Sequence, residues 1–94
     1  MPHHVYILRC ADDSYYIGTT QDLASREATH NEGRGALHTR LRRPVKLIYS
    51  EPFSTLAAAI RRERQLKRWT RAKKEALMAG DHTALNRLGR PKAE

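Results

Sequence analysis

Two β-prone runs open the chain, Val5-Tyr6-Ile7-Leu8 and Tyr15-Tyr16-Ile17-Gly18, with Ala11-Asp12-Asp13-Ser14 between them. Residues 4–10 alternate and are rich in Val, Tyr, Ile and Leu, so they read as a strand. Asp and Ser favour tight reversals, so 11–14 read as a turn and 15–19 as the returning strand of a hairpin. Each strand carries a phenol. Tyr6 and Tyr16 share a face only if the hairpin register has the right parity, because a slip of one residue flips every side chain. The sequence leaves that register open.

The rest of the chain follows from caps and breakers. Asp22 is placed to cap a helix running to about Asn31, with Gly33 just past its end. Arg26 and His30 occupy one stripe of it, at i and i+4. A short helical turn is expected around 36–41, inside a basic connection that ends at Pro44. Residues 45–50 read as a third strand, closed by Pro52-Phe53-Ser54, with Ser54 as the cap of a long helix to about Trp69. A last helix starts near Thr70 and stops before Gly80, and Asp81 caps a short final turn through Leu85 and Leu88. The expected fold is α/β (α+β): a three-stranded antiparallel sheet flanked by helices on both sides, in the order β-β-α-(α)-β-α-α. Residues 1–88 form one domain and 89–94 a basic tail.

Composition then narrows the partners. The chain has 94 residues, too few for more than one small core, and a net charge of +8. Such a charge on so small a body points to a polyanion, with nucleic acid first and an acidic membrane surface second. No stretch is long and apolar enough to span a bilayer. Met1-Pro2-His3-His4 lacks the basic and apolar regions of a signal peptide. Cys10 is the only cysteine, which excludes an intramolecular disulfide and a four-cysteine zinc site, and a reducing, cytoplasmic setting is expected. His3, His4 and His82 have no metal-ligand spacing.

One carboxylate stands in an unexpected place. At about 100° per residue, Leu56, Ala59, Ile60 and Leu66 mark an apolar stripe on the helix 54–69, and Glu63 falls in its middle. A carboxylate buried without compensation costs several kcal/mol. Three explanations compete: an ion pair such as Lys67 one turn on, a marginal position that reaches water, or a bound divalent cation.

Taken together, these residues resemble the GIY-YIG nuclease family over roughly 4–70. Val5-Tyr6 stands where that family has its first motif, with His4 at the glycine position. Tyr16-Ile17-Gly18 is an intact second motif. Gly18-Thr19-Thr20-Gln21-Asp22-Leu23, followed by Arg26 and His30-Asn31, looks like the family's motif helix. Gly35-Ala36, Thr39 and Arg43-Pro44 resemble the small single-domain bacterial members, the UPF0213 type, and the structure-specific endonuclease subunits. Glu63 falls where the family has its metal-binding glutamate. The asparagine or other polar ligand that some members carry after it has no clear counterpart.

The resemblance implies a metal-dependent endonuclease acting on DNA, with RNA a weaker candidate, and a link to repair or recombination. It implies catalytic roles for Tyr6, Tyr16, Arg26, His30 and Glu63, with Glu63 holding one Mg²⁺ or Mn²⁺. A hard ion on few carboxylates keeps its waters and polarises phosphate. Arg26 offers a planar fork to a phosphate oxygen. A phenol with its usual pKa near 10 is a poor base, so Tyr6 requires a lowered pKa, and the choice of base between Tyr6 and His30 stays open. Gly18, Thr19, Arg34, Arg40, Arg43 and Lys67 are the expected substrate contacts. His38 and Thr39 read as loop residues more than as substrate contacts, and Trp69 as packing for the last helix more than as a surface for base stacking. The rival from another class is a nucleic-acid-binding module on the same scaffold. An acid among phosphate contacts argues against it.

Overall fold

The hairpin register places both phenols on one face. In the computed structural model, which describes residues 2–89, β1 (His3–Arg9) pairs antiparallel with β2 (Tyr15–Thr20) so that Tyr6 faces Gly18 and Leu8 faces Tyr16. Cross-strand partners share a face, so Tyr6 and Tyr16 are diagonal neighbours on it. Val5, Ile7, Ile17 and Thr19 point the other way. Asp13 takes a positive φ of 67° in the turn, a conformation that Asp tolerates.

The third strand, β3 (Lys46–Phe53), pairs antiparallel on the far side of β1 and gives the sheet order β2-β1-β3. It runs past Pro52, where the sequence reading ends it. Pro52 lies opposite His4 on an edge strand, where a missing N–H costs no ladder bond if it faces outward. The register against β1 shifts between Ile7 and Leu8, which pair with Tyr49 and Leu47. Ile48 is the extra residue of this bulge. It therefore packs on the same side as Tyr49, while Leu47 packs on the other.

Four-residue α2 (Leu37–Arg40) follows α1 (Leu23–Asn31), whose cap Asp22 accepts from Ser25 N–H at 3.1 Å. Gly33 follows with φ of 83°, the left-handed turn that a helix end needs. Next come α3 (Leu56–Lys67), α4 (Arg71–Ala79) and α5 (His82–Gly89). Thr55, not Ser54, caps α3, through a 3.2 Å bond from Ala58 N–H. Asp81 caps α5 as expected, at 2.9 Å from Ala84 N, and the final turn extends to a full helix. The expected tail lies, from residue 90 on, outside the described residues.

Two cores result, one on each side of the sheet. Val5, Ile7, Ile17, Ala59 and Leu66 form the first, under α3, with Trp69, Leu77 and Met78 against it. Tyr6, Leu8, Cys10 and Val45 form the second, with Tyr16, Leu23 and Leu47 beside them. Arg62 ties α3 to β3 through two bonds to Glu51, at 2.8 and 3.0 Å. The mixed α/β sheet flanked by helices is the architecture the sequence predicts. Among the described residues no helix is long and apolar enough to cross a membrane.

Candidate active site

Gly18 and Gly35 make room for the rings of Tyr6 and His30. A Cβ at Gly18 would lie 2.5 Å from Tyr6 Oη, and one at Gly35 would lie 2.2 Å from His30 Nδ1. Neither glycine has a positive φ; each is needed because a ring rests on its backbone. Tyr6 therefore folds across β2, and His30, from the last turn of α1, seats over the loop before α2.

The hydrogen bonds fix the direction of the protons. Thr39 Oγ1 donates its one proton to Ala36 O at 2.9 Å. It can then only accept from His30 Nδ1, 2.7 Å away. That leaves the His30 Nε2 lone pair facing the Tyr6 hydroxyl, which donates to it across 3.0 Å. His30 and Thr39 are the two buried polar residues of the described chain, at 2% and 0% exposure, and both are satisfied within this relay. Burial, and then the nearby Arg26 charge, hold the imidazole below its usual pKa, so it is neutral at pH 7. Burial likewise raises the Tyr6 phenol well above its usual value, and the phenol of Tyr16 and the carboxylate of Glu63 add to this. Arg26 acts in the lowering direction that the sequence reading requires of it, but it is outweighed.

Tyr16 completes an aromatic cluster, its ring centroid 5.2 Å from His30 and 6.4 Å from Tyr6. His38 stacks on Tyr16, their ring centroids 6.1 Å apart. Ser14 donates to Asp12 Oδ1 at 2.6 Å, so at 2.9 Å it accepts from His38 Nε2–H. Arg42 anchors the same Asp12 at 2.8 Å. His38, Thr39, Ser14 and Gly35 thus belong to the site's framework. The family resemblance marks Gly35 and Thr39, but no local pattern marks Ser14 or His38, and all four acquire their partners only through folding.

Arg26 and Glu63 complete the set of charges around Tyr6. Arg26 is exposed and makes no ion pair among the described residues. Glu63 has 19% of its side chain exposed and is bonded by Lys67 Nζ at 2.8 Å. The ion pair and the margin, two of the three explanations for a carboxylate on this stripe, are thus both present. Lys67 is half exposed, and such a bridge is worth about 1 kcal/mol or less, weak enough for a divalent ion to displace. Among the described residues no three His, Cys, Asp or Glu side chains converge, so no protein cage for a metal exists there. A single carboxylate at a wet margin suits a hard ion that keeps most of its waters.

The expected substrate contacts are dispersed. Gly18 lies under Tyr6, Thr19 is on the opposite face, and Lys67 is on Glu63. Arg34 pairs with Glu32, and Arg40 is exposed without an acidic partner among the described residues. Arg43 is a structural staple: it bonds the carbonyls of Arg40 and Asn31, each at 3.2 Å, and locks the end of α1 to α2.

Comparison with known proteins decides the lineage. Residues 2–76 match the model of the GIY-YIG catalytic domain. The chain belongs to the GIY-YIG family. Within it, a UPF0213 protein of Bacillus pumilus is 52% identical over 73 residues, 78% of this chain and 74% of that one. A UPF0213 protein of Bacillus subtilis is 49% identical over the same shares. The solution structure of a UPF0213 protein from Bacillus halodurans matches with a TM-score of 0.55 at 37% identity, covering 97% of this chain and 100% of its own. That of an E. faecalis protein matches with a TM-score of 0.60 at 38% identity, covering 88% of each. The resemblance seen in the sequence, to small UPF0213-type GIY-YIG proteins, is therefore borne out. Membership of the GIY-YIG family implies a nuclease with a nucleic-acid substrate, and nucleases of this family typically use a divalent metal.

Proposed function

We propose that this GIY-YIG protein is an endonuclease that hydrolyses DNA phosphodiester bonds with one Mg²⁺ or Mn²⁺, selecting its substrate by shape more than by sequence. Such an activity fits a role in repair or recombination. The observation that carries this reading is the Tyr6 hydroxyl, which donates to a neutral His30 and lies within the electrostatic reach of Arg26 and Glu63.

The raised phenol pKa rules out a standing phenolate, and the relay makes one unnecessary. Tyr6 takes a proton from the attacking water while its own proton passes to His30 Nε2. The water oxygen forms its bond to phosphorus as the bond to the leaving oxygen breaks. Thr39, accepting from Nδ1–H, keeps the ring in the tautomer that can receive that proton. Both Tyr6 and His30 thus share the work of the base. Arg26 places its guanidinium fork on a non-bridging phosphate oxygen, where charge grows during the reaction. Tyr16 walls the relay from water on the side of α2. Glu63 would hold the divalent ion, whose chemistry is to neutralise charge on the phosphate and the leaving oxygen.

The test is cleavage of branched, flapped, single-stranded and duplex DNA with and without Mg²⁺ or Mn²⁺, beside Glu63→Ala. The wild-type chain is expected to nick at least one substrate only with metal. Glu63→Ala is expected to lose nicking and keep salt-sensitive binding. Unchanged cleavage by Glu63→Ala removes that residue from the reaction, and binding without cleavage of any substrate leaves a nucleic-acid-binding module.

A further inference from the structure

On the side of α3 turned away from Glu63, a groove of about 430 Å³ is lined by Arg61, Arg64, Gln65, Arg68 and Trp69. Arg61, Arg64, Gln65 and Arg68 fall within about 100° of one another around the helix, while Glu63 lies some 200° from Arg61. The buried residues Ala59 and Leu66 take the side facing the sheet. None of the three arginines has an acidic partner or a side-chain hydrogen bond among the described residues, whereas Arg34, Arg42, Arg62, Lys67 and Arg71 are all paired. Like charges at i, i+3 and i, i+4 repel, so this stripe is costly to a lone helix.

The polar chemistry of the groove has one sense. Guanidinium groups only donate. Gln65 gives its carbonyl oxygen to Arg62 Nη1 at 2.6 Å, which leaves its amide N–H groups as donors. Trp69 supplies the aromatic wall; Arg62 and Lys73 lie over its ring, 5.1 and 4.2 Å from the centroid, so a base that stacks there displaces a flexible side chain such as Lys73. The groove therefore offers donors and positive charge beside an indole, with no free carboxylate along its lining. It calls for a ligand that alternates anionic acceptors with flat apolar groups.

We infer that this groove binds a single-stranded segment of DNA, separately from Glu63, the proposed metal-holding carboxylate, on the opposite side of the same helix. A single strand presents phosphates and unpaired bases together, matching guanidinium groups next to an aromatic wall. Duplex DNA keeps its base faces stacked and offers only the phosphates. The two sides of α3 would then hold two parts of one branched or tailed substrate. This rests on nucleic acid being the ligand and not on the chain cleaving it.

Trp69 is the only tryptophan, so its fluorescence reports on the groove directly. The protein to use is Glu63→Ala, which separates binding from cleavage. It is titrated with a twenty-nucleotide oligo-dT, a blunt duplex of equal length, and inorganic pyrophosphate. Oligo-dT is expected to quench Trp69, with affinity falling steeply as salt rises. The duplex is expected to bind at least tenfold more weakly by this signal. Adding Arg61→Gln, Arg64→Gln and Arg68→Gln together is expected to weaken oligo-dT at least tenfold, with the urea midpoint unchanged or higher because these side chains are exposed. Absence of quenching, equal affinity for the duplex, or an unaffected triple variant each overturns the inference. Quenching by pyrophosphate to the same extent also overturns it, in favour of a free-phosphate site. A chain that quenches but never cleaves keeps this site and loses the nuclease; one that cleaves without quenching does the reverse.

Discussion

The two faces of the sheet are packed by different physics. Under α3, Val5, Ile7, Ile17, Ala59 and Leu66 meet through apolar burial and dispersion, with no buried polar side chain among them. Under α1 and α2, the outer end of the sheet is filled by Tyr6, His30 and Thr39, joined in a directed relay, with two glycines hollowed out beneath the rings. The apolar face is expected to accept volume-conserving apolar swaps at modest cost. The polar face tolerates almost none, because a displaced ring leaves a buried donor or acceptor unpaired. The site is thus held still by a part of the interior that contributes geometry at the expense of packing.

The sharpest way to break that contrast is Gly35→Ala. Its Cβ has no space beside His30 Nδ1, so the ring must leave Thr39, and the cleavage rate is expected to fall roughly 10²–10⁴-fold, the usual span for a lost general base. Single-turnover cleavage with the fold checked by circular dichroism measures it; a normal rate would show that the relay is idle.

Leu66→Ala probes the opposite face. Truncating this fully buried leucine is expected to cost about 2–5 kcal/mol in urea unfolding while leaving the rate per folded molecule unchanged. A rate loss exceeding the unfolded fraction would mean that the two faces are coupled.

Acid separates them next. Folded His30 binds its proton less readily than the unfolded chain does, so below the usual imidazole value of 6.5 the unfolded state takes up more protons. Stability is therefore expected to fall as pH drops through that region, and less so in His30→Gln. Urea midpoints at pH 5 and pH 7.5 for both proteins measure the difference; equal slopes would place the acid sensitivity elsewhere.

The smallest effect is expected at Lys67→Met. Removing a bridge worth about 1 kcal/mol frees Glu63, so the Mg²⁺ concentration for half-maximal cleavage should drop by at most about fivefold. Weaker DNA binding with an unchanged Mg²⁺ requirement would instead make Lys67 a substrate contact.

Local patterns carried far along this chain. The hairpin, the Asp22 and Asp81 caps, the third strand and the position of Glu63 on an apolar stripe are all legible, because each depends on residues within a turn or two. β3 continues past Pro52, where a proline otherwise signals a strand end, since nothing local says that a strand will lie on an edge. The bulge at Ile48 is invisible for the same reason: it exists only relative to β1.

Sequence by itself determined the set of chemical groups, a pair of phenols, an imidazole, a guanidinium and one carboxylate on a strongly basic body, and with them the family. Folding alone decided that Tyr6 and Tyr16 share a face, that Gly18 and Gly35 lie under the rings of Tyr6 and His30, and that Thr39 sets the tautomer of His30. The reason is distance along the chain. Propensity and periodicity act over a few residues, whereas a proton's direction depends on partners that meet only when β1, α1 and α2 close on one another.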